Sequence, residues 1–167
     1  VLQGHTAEVS NCLFSFDSSL IVSSSVDKSA RVWEPRTLSC LYSIYGHNDE
    51  VLDIALDYKG HYLATASSDT TAKIWDLKQD CKLLVTLKGH SQEISRVCFN
   101  PAGFLVLTAS QDHSARLWSP DTGSCIQVLE GHTDEVFSCA FSYYGDYIIT
   151  ASKDNTCRIW KNITNKI

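Results

Sequence analysis

Apolar and polar residues alternate along short stretches throughout the chain, and turn-forming residues separate the stretches. Residues 136–141 show the alternation, which is typical of a strand with one face toward a core. A second kind of stretch is continuously apolar and β-branched, as in Tyr147–Ile149. Such short stretches at 8–12-residue spacing, with no helical period between them, predict an all-β fold.

The pattern repeats. A Gly-His pair recurs every 42 or 43 residues, and each His is followed 22 residues later by an Asp and six residues after that by a Trp. A Ser or Thr precedes each Asp by four residues. The four sets are His5, Ser23, Asp27 and Trp33; His47, Thr65, Asp69 and Trp75; His90, Thr108, Asp112 and Trp118; and His132, Thr150, Asp154 and Trp160. A period of this length indicates a repeat architecture of four in-register copies.

Gly-His near one end of the repeat and Trp near the other resemble WD repeats, the blades of a β-propeller. The resemblance implies one partial propeller domain over residues 1–167, with repeats at about 4–45, 46–88, 89–130 and 131–161. WD blades commonly close in rings of seven or eight, so four copies predict an open arc and a fragment of a larger propeller. The chain begins at Val1–Gln3, in the middle of what the other copies predict to be a strand, and it contains no Met; both features favour the same interpretation. Val1–Gln3 is the segment expected to be free to complete the last blade.

The repeated polar residues have a structural explanation. Polar side chains buried between blades need partners, and the His, hydroxyl, Asp and Trp of one copy can satisfy one another, as in the network of WD-repeat proteins. A catalytic Ser-His-Asp triad is the alternative, but four equivalent copies argue against an active site in each. His61 and His113 lie outside the network without a metal-ligand pattern. We therefore predict no enzymatic activity, no cofactor and no metal site.

Positions where the repeats differ predict the partner-binding surface. In a propeller, the residues just after Gly-His and just before the turn Asp crowd one rim of the central channel, where WD-repeat proteins commonly bind partners. A glutamate follows each His by three residues. The candidate rim comprises Glu8, Glu50, Leu52, Glu93, Gln111, Glu135, Phe137 and Lys153. Such an acidic arc suits a basic or mixed protein surface; the alternative is that the glutamates pair locally or are simply solvated.

Composition narrows the class of partner. The net charge is −5, and no apolar run reaches the roughly 20 residues of a membrane span, so we expect no nucleic-acid and no membrane partner. Seven cysteines without a CxxC pair, Cys12, Cys98 and Cys139 among them, favour free buried thiols in a reducing, cytoplasmic compartment.

The last copy, residues 125–160, resembles the C-terminal repeat of the WD-repeat assembly factors of outer-arm dynein, and residues 1–33 resemble an earlier repeat of that family. The resemblance implies a non-catalytic adaptor in the cytoplasm and cilium, with outer-arm dynein subunits and intraflagellar-transport proteins as partners. The stretch from Val32 to Tyr45 departs from the usual pattern. The alternative is a scaffold of another complex, such as the substrate receptor of a ubiquitin ligase; a propeller enzyme or metal-binding protein is a more distant third.

Overall fold

The computed structural model of the chain describes residues 1–161, which form fifteen strands and no helix. The strands are β1 (Val9–Phe14), β2 (Ile21–Ser25), β3 (Ser29–Trp33), β4 (Cys40–Tyr45), β5 (Val51–Leu56), β6 (Tyr62–Ser67), β7 (Ala72–Asp76), β8 (Lys82–Leu87), β9 (Ile94–Phe99), β10 (Val106–Ser110), β11 (Ala115–Trp118), β12 (Cys125–Leu129), β13 (Val136–Phe141), β14 (Tyr147–Ser152) and β15 (Cys157–Lys161). The all-β prediction is confirmed.

The strands form four antiparallel sheets in which each strand pairs with its neighbour in sequence. The first three sheets have four strands each, β1–β4, β5–β8 and β9–β12. The fourth contains β13, β14 and β15 within the described residues. Val1–Gln3, the segment expected to be free for that sheet, lies in no strand, and Val1 is fully exposed.

The core consists of three apolar clusters, each between two sheets adjacent in sequence. Between the second and third sheets, for example, Ile74 and Leu87 meet Val97 and Trp118, and all four side chains are almost completely buried. Equivalent clusters join the first sheet to the second and the third to the fourth. None of the three clusters joins the first sheet to the fourth. The sheets therefore form the expected open arc within residues 1–161.

The two outer faces of the arc remain apolar and exposed. Phe14 on the first sheet is 61% exposed, and Ile159 on the fourth is 73% exposed. Their counterparts in the inner sheets are covered by a neighbouring sheet. The same geometry corrects one sequence-based expectation: Cys12, predicted to be buried, is exposed, as are Cys40, Cys125 and Cys157. All seven thiols are free, and Cys139 is the fully buried one because it faces the third sheet.

The turn after the first strand of each sheet has the same backbone in all four copies. Gly60, Gly103 and Gly145 adopt positive φ angles of 65°, 85° and 74°, a conformation that favours glycine. The first copy has Ser18 in place of the glycine. Ser18 nevertheless adopts a φ of 58°, and its N–H donates to the Ser15 carbonyl as the N–H of Gly60 does to Asp57. Packing of the flanking strands therefore outweighs the local preference.

Candidate functional site

The structure brings the repeated His, hydroxyl, Asp and Trp together in every sheet. The His Nδ1 lies 2.7–2.9 Å from the Asp Oδ2, and the His Nε2 lies 2.7–2.8 Å from the Ser or Thr hydroxyl. The Trp Nε1–H donates to the same hydroxyl at 2.8–3.0 Å. One chain of hydrogen bonds thus runs from the turn Asp to the indole of the third strand.

The direction of each hydrogen bond follows from the chemistry of its partners. An ionised carboxylate only accepts, so His47 Nδ1 carries the proton that is donated to Asp69. The neutral ring therefore presents Nε2 as an acceptor for the hydroxyl of Thr65. That leaves the Thr65 oxygen to accept from the Trp75 indole. Every polar side-chain atom of this network therefore has a hydrogen-bond partner.

A further hydroxyl, two residues after each Asp, belongs to the network and is not among the predicted residues. Thr71 donates to Asp69 Oδ1 at 2.6 Å through its hydroxyl and at 3.0 Å through its N–H. The N–H of Asn48 donates to the other carboxylate oxygen at 2.9 Å. Ser29, Ser114 and Thr156 make the corresponding side-chain contacts in the other sheets. The recurrence of Ser or Thr at this position was the available signal.

These contacts keep the network ionised at one end and neutral at the other. Burial alone would raise the pKa of Asp69, but the hydrogen bonds from Thr71, Asn48 and His47 outweigh it and lower the pKa to about 2. Burial also lowers the pKa of His47, although Asp69 opposes that shift. Asp69 is therefore a carboxylate and His47 a neutral imidazole at pH 7.

The accessibility of the four hydroxyls decides between a structural and a nucleophilic role. Each could transfer its proton to the His beside it, as in a triad, but Ser23, Thr65, Thr108 and Thr150 are at most 5% exposed. A substrate carbonyl cannot approach an oxygen enclosed by the histidine, the indole and the sheet. The geometry supports a role in holding the turn to the strands.

The predicted rim residues meet along one edge of the sheets through a repeated backbone hydrogen bond. The N–H of the residue before each turn Asp donates to the carbonyl of the rim glutamate in the same sheet, at 2.9–3.0 Å. The pairs are Val26 with Glu8, Ser68 with Glu50, Gln111 with Glu93, and Lys153 with Glu135. The bond holds both residues beside the turn between the second and third strands of every sheet.

A β-bulge positions the apolar members of the rim. The pairing of the first two strands of each sheet skips one residue, namely Ser10, Leu52, Ser95 or Phe137. A bulged residue is released from the ladder, and its side chain can be re-aimed. Phe137 is 48% exposed as a result, whereas Leu52 is half-buried.

The rim glutamates differ in how they are paired. Glu135 forms an ion pair with Lys153 at 3.2 Å, and Glu93 accepts from the Gln111 side-chain amide at 2.8 Å. The carboxylates of Glu8 and Glu50 have no hydrogen bond or ion pair to any residue in the described part of the chain. The acidic surface is therefore concentrated on the first three sheets, and Lys153 neutralises its fourth member.

Asp53, which is not one of the predicted site residues, joins three sheets through their first strands, β1, β5 and β9. It accepts from the Val97 N–H at 2.8 Å and from Asn11 Nδ2 at 2.5 Å, and Arg96 lies 3.5 Å from Oδ1. Burial raises the pKa of Asp53 despite these partners. The contact spans more than forty residues of sequence, so a pattern within one repeat could not reveal it.

Within residues 1–161 no cluster of three or more His, Cys, Asp or Glu side chains is arranged to hold a metal ion. No helix in this part of the chain is long and apolar enough to cross a membrane.

Known proteins share both the repeat and the arrangement of the sheets. The family model for the WD domain, G-beta repeat (WD40) matches residues 1–34, 38–76, 81–119 and 123–161. The solved structure titled "Structure of U3-55K" superposes with a TM-score of 0.89 at 27% identity, covering 99% of this chain and 52% of that one. "Crystal structure of RRP9 WD40 repeats" gives the same TM-score and identity over 99% and 51%. A search of curated proteins finds no match.

The chain thus spans about half the length of these solved structures. Matched segments such as 38–76 begin with the outer strand of one sheet and continue through three strands of the next, so the sequence repeat links neighbouring blades. Because the family model matches nearly all of the sequence, the chain belongs to the WD40 repeat family.

Proposed function

We propose that the rim is the surface on which this WD40 chain docks partner proteins. WD40 repeats typically form non-catalytic scaffolds for protein interaction. The observation that carries the proposal is the pair of rim carboxylates, Glu8 and Glu50, that have no partner within residues 1–161. Free carboxylates on the same rim as the apolar side chains of Leu52 and Phe137 suit a partner that presents both basic and apolar residues.

We further propose outer-arm dynein subunits and intraflagellar-transport proteins as the partners, and the cytoplasm and cilium as the location. This part of the proposal is supported by the resemblance of residues 125–160 to dynein assembly factors. The two solved relatives, U3-55K and RRP9, are not named as dynein assembly factors.

Affinity capture from a lysate of ciliated cells tests the proposal. The wild-type chain is compared with a Glu8→Gln/Glu50→Gln variant, and recovered dynein and transport subunits are quantified by mass spectrometry. We expect several-fold lower recovery with the variant at low salt, and a smaller difference at high salt, because exposed charge pairs are screened.

A matched control removes the same charge elsewhere. Asp80→Asn/Asp121→Asn also changes the net charge by +2, at two exposed positions in the turns after β7 and β11, at the opposite end of the sheets from the rim. Equal losses in both variants would show that overall charge, and not the rim, governs capture. Recovery of cullin-ligase subunits in place of ciliary proteins would reject the ciliary assignment and leave the rim as the docking surface.

A further inference from the structure

A second unassigned surface lies at the opposite end of the inner strands from the rim. The inner strands are β1, β5, β9 and β13, and two residues after each of them the chain places Phe16, Tyr58, Pro101 or Tyr143. Phe16, Tyr58 and Tyr143 are 74%, 61% and 84% exposed. Phe16 and Tyr58 contact each other with ring centroids 4.5 Å apart. Large aromatic side chains are usually more buried than this, so their recurrence at one repeat position marks a surface.

A groove of about 670 Å³ runs across the ends of β5, β9 and β13. Its walls, which define the strand-end groove, include Tyr58, Arg96, Phe99, Pro101, Phe141 and Tyr143. The volume lies within the range of about 300–1,000 Å³ that is usual for binding pockets. The groove is open to solvent, so a segment of a partner chain can enter it from the surface.

Arg96 is the charged residue among those lining the strand-end groove. Its side chain is 49% exposed, and its ion pair with Asp53 is long, at 3.5 Å. Asp53 already accepts from the Val97 N–H and from Asn11. A guanidinium has five N–H donors in a fork that matches a carboxylate, so Arg96 retains the capacity to bind one more.

The nearby acidic residues are engaged in their own turns. Asp57 accepts from the backbone N–H groups of His61 and Tyr62 at 2.7 Å, and Asp17 accepts from Ser15 and Ser19. They satisfy local donors and leave Arg96 facing the groove. One cation among apolar walls also disfavours nucleic acid, which needs several phosphate-binding cations.

We propose that the strand-end groove binds an extended segment of a partner protein in which an Asp or Glu is flanked by apolar or aromatic residues. The carboxylate pairs with Arg96, and the flanking side chains pack on Tyr58 and Tyr143. The inner strands are six residues long, about 20 Å, which separates Tyr58 and Tyr143 from the rim, whereas Arg96, the third residue of β9, lies between the two surfaces.

Selection from a phage-displayed library of random dodecapeptides against the whole chain tests the proposal. We expect enriched peptides to share an acidic residue between apolar or aromatic ones. Their synthetic, fluorescently labelled forms should lose about tenfold or more in affinity for Arg96→Gln, as expected for a charge-assisted hydrogen bond, and less for Arg96→Lys, which keeps the charge without the fork.

Two further variants keep the test independent of folding. Tyr143→Ala removes an 84% exposed ring from the groove, and we expect it to weaken the same peptides severalfold. Tyr45→Ala removes a 66% exposed ring elsewhere and should leave binding unchanged. Failure to enrich any acidic motif, or equal binding by wild type and Tyr143→Ala, would overturn the proposal. So would enriched peptides that lose affinity for Glu8→Gln/Glu50→Gln, because they would occupy the rim.

Discussion

Replacing Asp69 with alanine removes the acceptor at the centre of one blade's network. The carboxylate receives hydrogen bonds from His47, Asn48 and both donors of Thr71. Its pKa falls from 3.8 to about 2 in the folded chain. At 1.36 kcal/mol per pKa unit, the folded structure stabilises the ionised form by roughly 2–2.5 kcal/mol.

The substitution also leaves a buried N–H donor without its main acceptor. The His47 side chain is 2% exposed, and its Nδ1–H would lose the Asp69 acceptor at 2.9 Å and keep only the distant Thr71 hydroxyl at 3.5 Å. An unsatisfied buried donor costs about 1–3 kcal/mol, although this term overlaps with the first. We therefore expect Asp69→Ala to lower the free energy of unfolding by roughly 2–4 kcal/mol at pH 7, measured by urea denaturation followed by tryptophan fluorescence.

The pH dependence provides an independent check on the mechanism. The folded pKa of Asp69 is below its unfolded value, so its stabilisation is complete above about pH 5 and is lost as the pH falls from about 4 toward 2. The difference between wild type and variant should narrow over that range. Asp121→Ala, at an exposed turn position, should cost less than about 0.5 kcal/mol. A loss for Asp69→Ala below about 1 kcal/mol at pH 7, or an equal loss at pH 3, would refute the reasoning.

Two further substitutions test the packing around the network. Trp118→Phe removes the indole donor from a completely buried site, and we expect it to lower the free energy of unfolding in urea by about 1–3 kcal/mol. Trp160→Phe should cost less, because Trp160 in the fourth sheet is only partly buried. Equal costs for the two variants would contradict the burial argument. Gly46→Ala should lower the melting temperature by several degrees, because a Cβ there would lie 2.9 Å from the Trp75 ring. Gly103→Ala should lower it less, because a Cβ there meets no atom within 4 Å and bears only the strain of a φ of 85°. A larger drop for Gly103→Ala would contradict this explanation.

The features that lie within one repeat follow directly from the sequence. His132, Thr150, Asp154 and Trp160 fall on neighbouring strands and turns of a single antiparallel sheet, so their fixed spacing is enough to place them in contact. The same holds for the backbone bond between Lys153 and Glu135. Turn and ladder geometry translate spacing directly into distance when the strands are adjacent in sequence. For this reason the fold class and the composition of the network could be read from the sequence.

The stacking of the sheets, and not the repeat pattern, sets which surfaces are covered by a neighbouring sheet and which are exposed. Cys12 and Cys139 occupy the same repeat position, yet Cys12 is exposed and Cys139 is buried. The third sheet covers the face of the fourth sheet that carries Cys139, whereas no sheet within residues 1–161 covers the corresponding face of the first sheet. Arg96 and Asp53 face each other across two sheets, and the groove beside Arg96 requires three. These contacts join residues more than forty positions apart, and their distances depend on how the blades stack. The local pattern, which is nearly the same in every repeat, contains no information about that difference.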